Sequence, residues 1–329
     1  MPPMPGEARR WSRWLKPVAA VVILAIIAKA TLHYAHQLQP YVASLRLGPL
    51  LAALLICIIY RVLNSAGWVG VLRAMHQPMP VARGMRLWLL AESARWLPGS
   101  VWGFCSRVYA ARKNGVPPAI ASASLPLELL LTIAAWTLVA AGGLLLSGRS
   151  IDWSHLVSPR ILIIAAGGGF AVAAALAICV FAFPQSRIAT KIRGLLGELA
   201  TLRTLALRPA LLAGVALFYT ALCCLNGLAF HLVIRAITDA PVSLTALIGI
   251  NACGWLIGFF AIGAPGGIGV REATSAFLLS SIIPLPAAIA ASILWRLVLI
   301  VDEVLCLTVC LAPTLLHSPR ETTAAPVAS

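Results

Sequence analysis

Apolar runs of about 20 residues recur along nearly the whole chain, and no stretch between them is long and polar enough to form a soluble domain. A run of that length crosses the ~30 Å hydrocarbon layer of a bilayer as a helix. The runs are continuous rather than alternating, which argues against a transmembrane barrel. With 60% hydrophobic and 11% charged residues, the chain reads as an all-α, polytopic membrane bundle. Six full spans are expected, at 17–38, 48–72, 119–147, 160–183, 209–234 and 287–312, with two broken elements at 87–105 and 243–283. Together they make one membrane domain, 17–312, in two halves, 17–147 and 160–312. A basic cytoplasmic N-terminus (1–16) precedes it and a disordered cytoplasmic tail (313–329) follows.

The breaks are the chemically informative places. In the second, Ala264-Pro265-Gly266-Gly267-Ile268-Gly269-Val270-Arg271-Glu272-Ala273 lies between apolar runs. Pro265 removes a backbone donor and ends a helix. Gly266, Gly267 and Gly269 free the backbone, and Arg271 and Glu272 then place two charges at membrane depth. Irregular backbone and charge persist there only against protein or a water-filled cavity. The first break, Leu97-Pro98-Gly99, is followed by Gly103 and flanked by Glu92 and Arg95. Basic residues on both sides of 87–105 favour two half-helices that enter and return over a single kinked span.

The net charge of +15 does not point to nucleic acid, because the basic residues cluster in short connecting segments. Arg9, Arg10, Arg13 and Lys16 form one cluster, Arg73, Arg83 and Arg86 another, Arg107, Arg112 and Lys113 a third. Arg187, Lys191, Arg193, Arg203 and Arg208 form the fourth. This is the positive-inside pattern of a multi-pass membrane protein with both termini cytoplasmic. The N-terminal run is read as an uncleaved first span rather than a signal peptide.

The order span, span, broken element, span then repeats with opposite orientation, as in transporters built from inverted repeats. Pro98 and Pro265 are 167 residues apart. The same offset carries Glu128 to the neighbour of Arg296. Both lie ~14 Å into their spans from opposite faces, so pairing between them, directly or through a ligand, is expected.

Plainer readings stand beside these. Arg107 also suits a positive-inside anchor, and Arg271 and Glu272 also suit helix capping. Glu92 and Arg95 suit a local ion pair. Arg61 and Lys29 can snorkel, and Asp302 and Glu303 can be solvated near the inner end of the last span. The ten tryptophans suit interfacial anchoring. The eight cysteines lack metal or redox spacing and read as packing residues. No paired-acid, histidine-rich or nucleophile constellation appears, so no catalytic residue, metal or cofactor is assigned.

The run Ala264–Ala273 resembles the C-terminal signature of the lysylphosphatidylglycerol synthase transmembrane, or flippase-like, family. Residues 96–116 (WLPGSVWGFCSRVYAARKNGV) are similar to its Pro-Gly…Gly…Arg…Gly-Val block, and Gly67, Trp68 and Leu72 to its second-span element. Glu128 and Arg296 match its acidic and basic positions in later spans. The resemblance implies lipid handling: a flippase that moves an anionic or modified phospholipid, or a polyprenyl-linked glycolipid, between leaflets. Arg107, Glu128, Arg271, Glu272 and Arg296 would form the headgroup site, lined by Pro98, Gly99, Gly103, Pro265, Gly266, Gly267 and Gly269. The soluble aminoacyl-transfer domain of the two-domain synthases has no counterpart in these residues, so lipid synthesis is not carried over. Partners would be membrane lipids and a separate lipid or glycolipid synthase. The alternatives are a non-catalytic subunit of such a synthesis system, an ion-coupled solute transporter, and a membrane glycosyl or headgroup transferase.

Overall fold

The computed structural model describes residues 43–93, 102–147, 207–261 and 269–316, together with Tyr41 and Gly267. The expected spans 17–38 and 160–183, most of the loop 184–208, both terminal segments apart from 313–316, and the breaks Pro98, Gly99, Pro265 and Gly266 lie outside the described residues. Among those described, the secondary structure is eight helices and no strand. They are α1 (Leu47–Ala74), α2 (Val81–Ser93), α3 (Trp102–Lys113), α4 (Pro118–Leu146), α5 (Pro209–Ile237), α6 (Leu244–Phe260), α7 (Val270–Leu279) and α8 (Leu285–Leu316). Helices α1, α4 and α5 are long and apolar enough to cross a membrane, while α6 is apolar but shorter.

Long helices α1 and α5 form the centre and run antiparallel. The Arg46 amide donates to the Ala236 carbonyl at one end, and the Arg208 amide to the Ala74 carbonyl at the other, both at 3.0 Å. Each half therefore contributes one helix to the axis of the bundle. The end of α1 and the start of α5 define a basic face, where Arg73, Arg83, Arg86, Arg112, Lys113 and Arg208 are exposed. At the opposite face Arg46 pairs with Asp239, which Arg235 also approaches.

Two short-helix elements complete the bundle. Helix α2 leaves the end of α1 and α3 returns to the start of α4. Met79, before α2, and Val116, after α3, are buried in one cluster with Trp68, Leu72 and Ala121, so both ends of the element meet at the basic face. At 13 and 12 residues, α2 and α3 are each about 20 Å long, too short to cross. The element starts earlier than the sequence suggests: Val81 begins the helix, so Arg83 and Arg86 sit on α2 rather than in a loop.

Helices α6 and α7 form the second such element, and their contacts give its direction. Gly254 faces Ser275, and Gly258 faces Arg271: as numbering rises on α6 it falls on α7, so the two are antiparallel. Ile283, beyond α7, shares a buried cluster with Ile237, Ala246 and Ala287, which puts both ends of this element at the face opposite the basic one. The two hairpins thus enter from opposite faces, the geometry of an inverted repeat.

Close packing depends on small residues. A Cβ on Gly143 of α4 would lie 2.7 Å from the Gly249 Cα of α6, so this crossing exists only because both positions lack side chains. Helix α8 continues to Leu316, past Pro313 where a tail was expected. Pro313 removes one intrahelical bond, to the Val309 carbonyl, without ending the helix.

Candidate functional site

Among the described residues, three ionic groups lie inside the bundle, two of them buried and one partly buried. The first is built by hairpin one. Arg107 of α3 pairs with Glu128 of α4, both buried. Glu128 Oε1 also accepts from Trp88 Nε1 of α2 (3.0 Å) and from the Tyr219 hydroxyl of α5 (3.3 Å). The Arg107 guanidinium lies against two indole faces, with Cζ 5.8 Å from the Trp68 ring centre and 5.4 Å from that of Trp88. Trp68 in turn donates to Ser124 of α4 at 3.1 Å. Four helices therefore converge on one carboxylate, and the low dielectric makes each of those hydrogen bonds count for more than in water. Gly103 sits one helical turn before Arg107 on α3.

The second is built by hairpin two. Gly267 and Gly269 carry positive φ angles, 71° and 84°, which glycine adopts without strain. They turn the chain into α7, whose first turn holds Arg271 and Glu272. Glu272 Oε2 accepts from the Gly269 amide at 2.6 Å, which is helix capping. Its Oε1 lies 3.5 Å from Arg296 Nε of α8. Arg271 points the other way, onto α6. Its Cζ is 5.6 Å from the Trp255 ring centre, and its aliphatic stem fills the space a side chain on Gly258 would need. Trp255 is stacked between Trp136 and Phe259, at 4.9 and 5.2 Å. An aromatic row thus runs from the interior to Phe260, which is exposed.

The expected pairing of Glu128 with Arg296 is not found. Each takes a partner from the hairpin of its own half instead, because α4 and α8 pack on α1 and α5 rather than on one another. The repeat appears in a different form. Arg107 and Glu272, 165 residues apart, occupy related places after the two breaks; Glu128 and Arg296, 168 apart, occupy related places on the following long helices. Among the described residues, each half holds one such interior arginine–carboxylate pair, with the charges exchanged.

The third group was not anticipated. Arg61, near the middle of α1, donates through Nε and Nη2 to Asp302 Oδ2 of α8, at 2.9 and 2.7 Å. Glu303 Oε2 lies 3.8 Å from Nη2. Arg61 does not snorkel, and Asp302, 1% exposed, and Glu303 are buried rather than solvated. Arg61, Glu92 and Glu303 line a small recess together with Leu89, Cys306 and Leu307. The available signal was a charge of each sign in the middle of an apolar helix; what sequence lacks is the packing of α1 on α8. The tryptophans depart from expectation too. Trp68, Trp88, Trp136 and Trp295 are buried in the core instead of anchoring the protein at the interface, and Trp68 and Trp88 build the first site. Arg95, the expected partner of Glu92, lies outside the described residues.

Inverted half-helix hairpins with charge inside the bundle define a polytopic helical membrane protein. Residues 14–301 match the family model of the lysylphosphatidylglycerol synthase TM region, and the chain belongs to that family. A comparison with curated proteins finds no match.

Proposed function

We propose that this protein is a lipid translocator of the cytoplasmic membrane, moving an anionic or modified phospholipid, or a polyprenyl-linked glycolipid, between leaflets. One observation carries the reading: two half-helix hairpins enter from opposite faces, and each brings an arginine–carboxylate pair to similar depth. Glu128 lies ten residues along α4 from the basic face, and Arg296 eleven along α8 from the other, about 15 Å in each case. A bare headgroup charge at the bilayer centre costs at least ~2.5–3.5 kcal/mol. Arginines at both depths, and the amides that open α7, lower that barrier from either side. The lipid tails stay in hydrocarbon while the headgroup passes the polar interior. Arg271 and Arg296 are assigned to phosphate contact at hairpin two, and no residue is assigned a catalytic role.

Reconstitution in liposomes with labelled lipids tests this. Movement of one headgroup class between leaflets, reduced at least tenfold in a folded Arg271→Ala variant, is the expected result. A reaction product without leaflet exchange would instead indicate a headgroup or glycosyl transferase. Exchange only when a neighbouring synthase is added would indicate the non-catalytic subunit.

A further inference from the structure

The two charge pairs are related by the repeat, but their carboxylates are held differently. Glu128 receives Trp88 Nε1, the Tyr219 hydroxyl and the Arg107 guanidinium. The Arg107 and Glu128 side chains are 8% and 9% exposed. Withdrawing this carboxylate would strand three buried donors, each a substantial desolvation cost. Glu272 has a different setting. It meets one backbone amide at 2.6 Å and Arg296 Nε at 3.5 Å, the long limit for such a contact. The Arg296 and Glu272 side chains are 17% and 15% exposed, about twice as open as the other pair.

The place Glu272 fills is that of an anion. One carboxylate oxygen takes an amide at the start of a ten-residue helix, and the other faces a guanidinium. Backbone amides at a helix start together with an arginine form the donor set that binds phosphate. We infer that Glu272 is a resident stand-in for the phosphate of the transported headgroup. The phosphate displaces the carboxylate from Arg296 and the Gly269 amide, while Arg107–Glu128 stays closed as the fixed counterpart. A built-in competitor keeps resting affinity low, so a ligand that has crossed is released. The identity of the anion as a headgroup phosphate rests on the translocator reading; the exchange of one anion for another does not require leaflet movement.

The full-length protein in phosphatidylcholine nanodiscs separates these points. Thermal unfolding is followed while either dioleoylphosphatidylglycerol is mixed into the discs or inorganic phosphate is added to the buffer. Glu272→Gln keeps an acceptor for the Gly269 amide but removes the competing charge. Its half-saturation should fall about tenfold, the scale of one charge-assisted hydrogen bond, and the gain should vanish in Glu272→Gln/Arg296→Gln. Glu128→Gln should lower the unfolding temperature without improving binding. A gain with phosphatidylglycerol alone identifies a lipid headgroup, and a gain with both probes a site open to free phosphate as well; both support the inference. If Glu272→Gln does not fold, Glu272→Asp, drawn back one methylene from Arg296, should show a smaller gain of the same sign. Unchanged or weaker binding in the folded variant, an equal gain in Glu128→Gln, or no binding of either probe by any variant overturns it. Leaflet exchange by the wild type without a Glu272 gain would remove this inference alone; the gain without leaflet exchange would remove the translocator reading alone.

Discussion

Glu128 shows how one buried carboxylate organises its neighbours. Tyr219 reaches it only because Gly67 of α1 has no side chain: a Cβ there would lie 2.5 Å from both Cζ and the hydroxyl oxygen of the tyrosine. Gly67→Ala should therefore cost about 1–3 kcal/mol by overpacking, although alanine is the better helix former. Gly48→Ala in the same helix meets nothing within 4 Å and should be neutral or slightly stabilising. Thermal unfolding of the two variants checks this, and equal unfolding temperatures would dismiss the Gly67–Tyr219 contact. The sequence marked Glu128, Arg271, Glu272 and Arg296 as interior because charge within apolar runs is expensive, whereas Arg107 stood in a basic segment and joined the site only through the family resemblance. The sequence did not reveal their partners, since periodicity within a helix says nothing about which neighbour that helix meets. Trp68 and Trp88 were misread for a related reason: a tryptophan near a helix end suits an interface and a buried arginine equally well.

The helices themselves were largely legible. Hydropathy placed α1, α4 and α5 within a few residues, and Pro265 with its glycines marked the break between α6 and α7. Hydropathy could not locate the start of α2, because Arg83 and Arg86 read as a basic loop, whereas a helix emerging at a charged face tolerates them. The antiparallel sense of α6 and α7 also needed the structure, and it has a chemical test. The Cβ of a side chain at position 254 would lie 3.9 Å from the Ser275 Cβ, inside the range of disulfides. Gly254→Cys/Ser275→Cys should form that bond with a membrane-permeant oxidant, read by mass spectrometry of the linked peptides. Gly254→Cys/Leu279→Cys, one helical turn displaced on α7, should not. Equal yields from both pairs would contradict the hairpin register.

At the scale of the molecule, the inverted repeat was visible in element order and in the 167-residue spacing, but the link between the halves was not. One such link is Arg61, near the middle of α1, with Asp302 and Glu303 of α8. The α1 helix belongs to the first half and α8 to the second, so an ion pair here ties the halves wherever they move against each other. Arg61→Met leaves Asp302 buried beside Glu303 with no guanidinium between them, and a loss of about 3–5 kcal/mol is expected for one partner removed from a buried pair. Asp302→Leu should cost a similar amount. The double variant, which removes both desolvated charges, should recover most of that loss. Thermal unfolding of the four proteins closes the cycle, and additive losses would show that the two residues are not coupled. Leaflet exchange measured on the double variant then separates two roles. If the pair only holds the halves together, apolar packing replaces it and exchange continues at the wild-type rate. If it must break and reform as the hairpin sites alternate, the recovered stability comes with slower exchange, because the tie between the halves has become permanent.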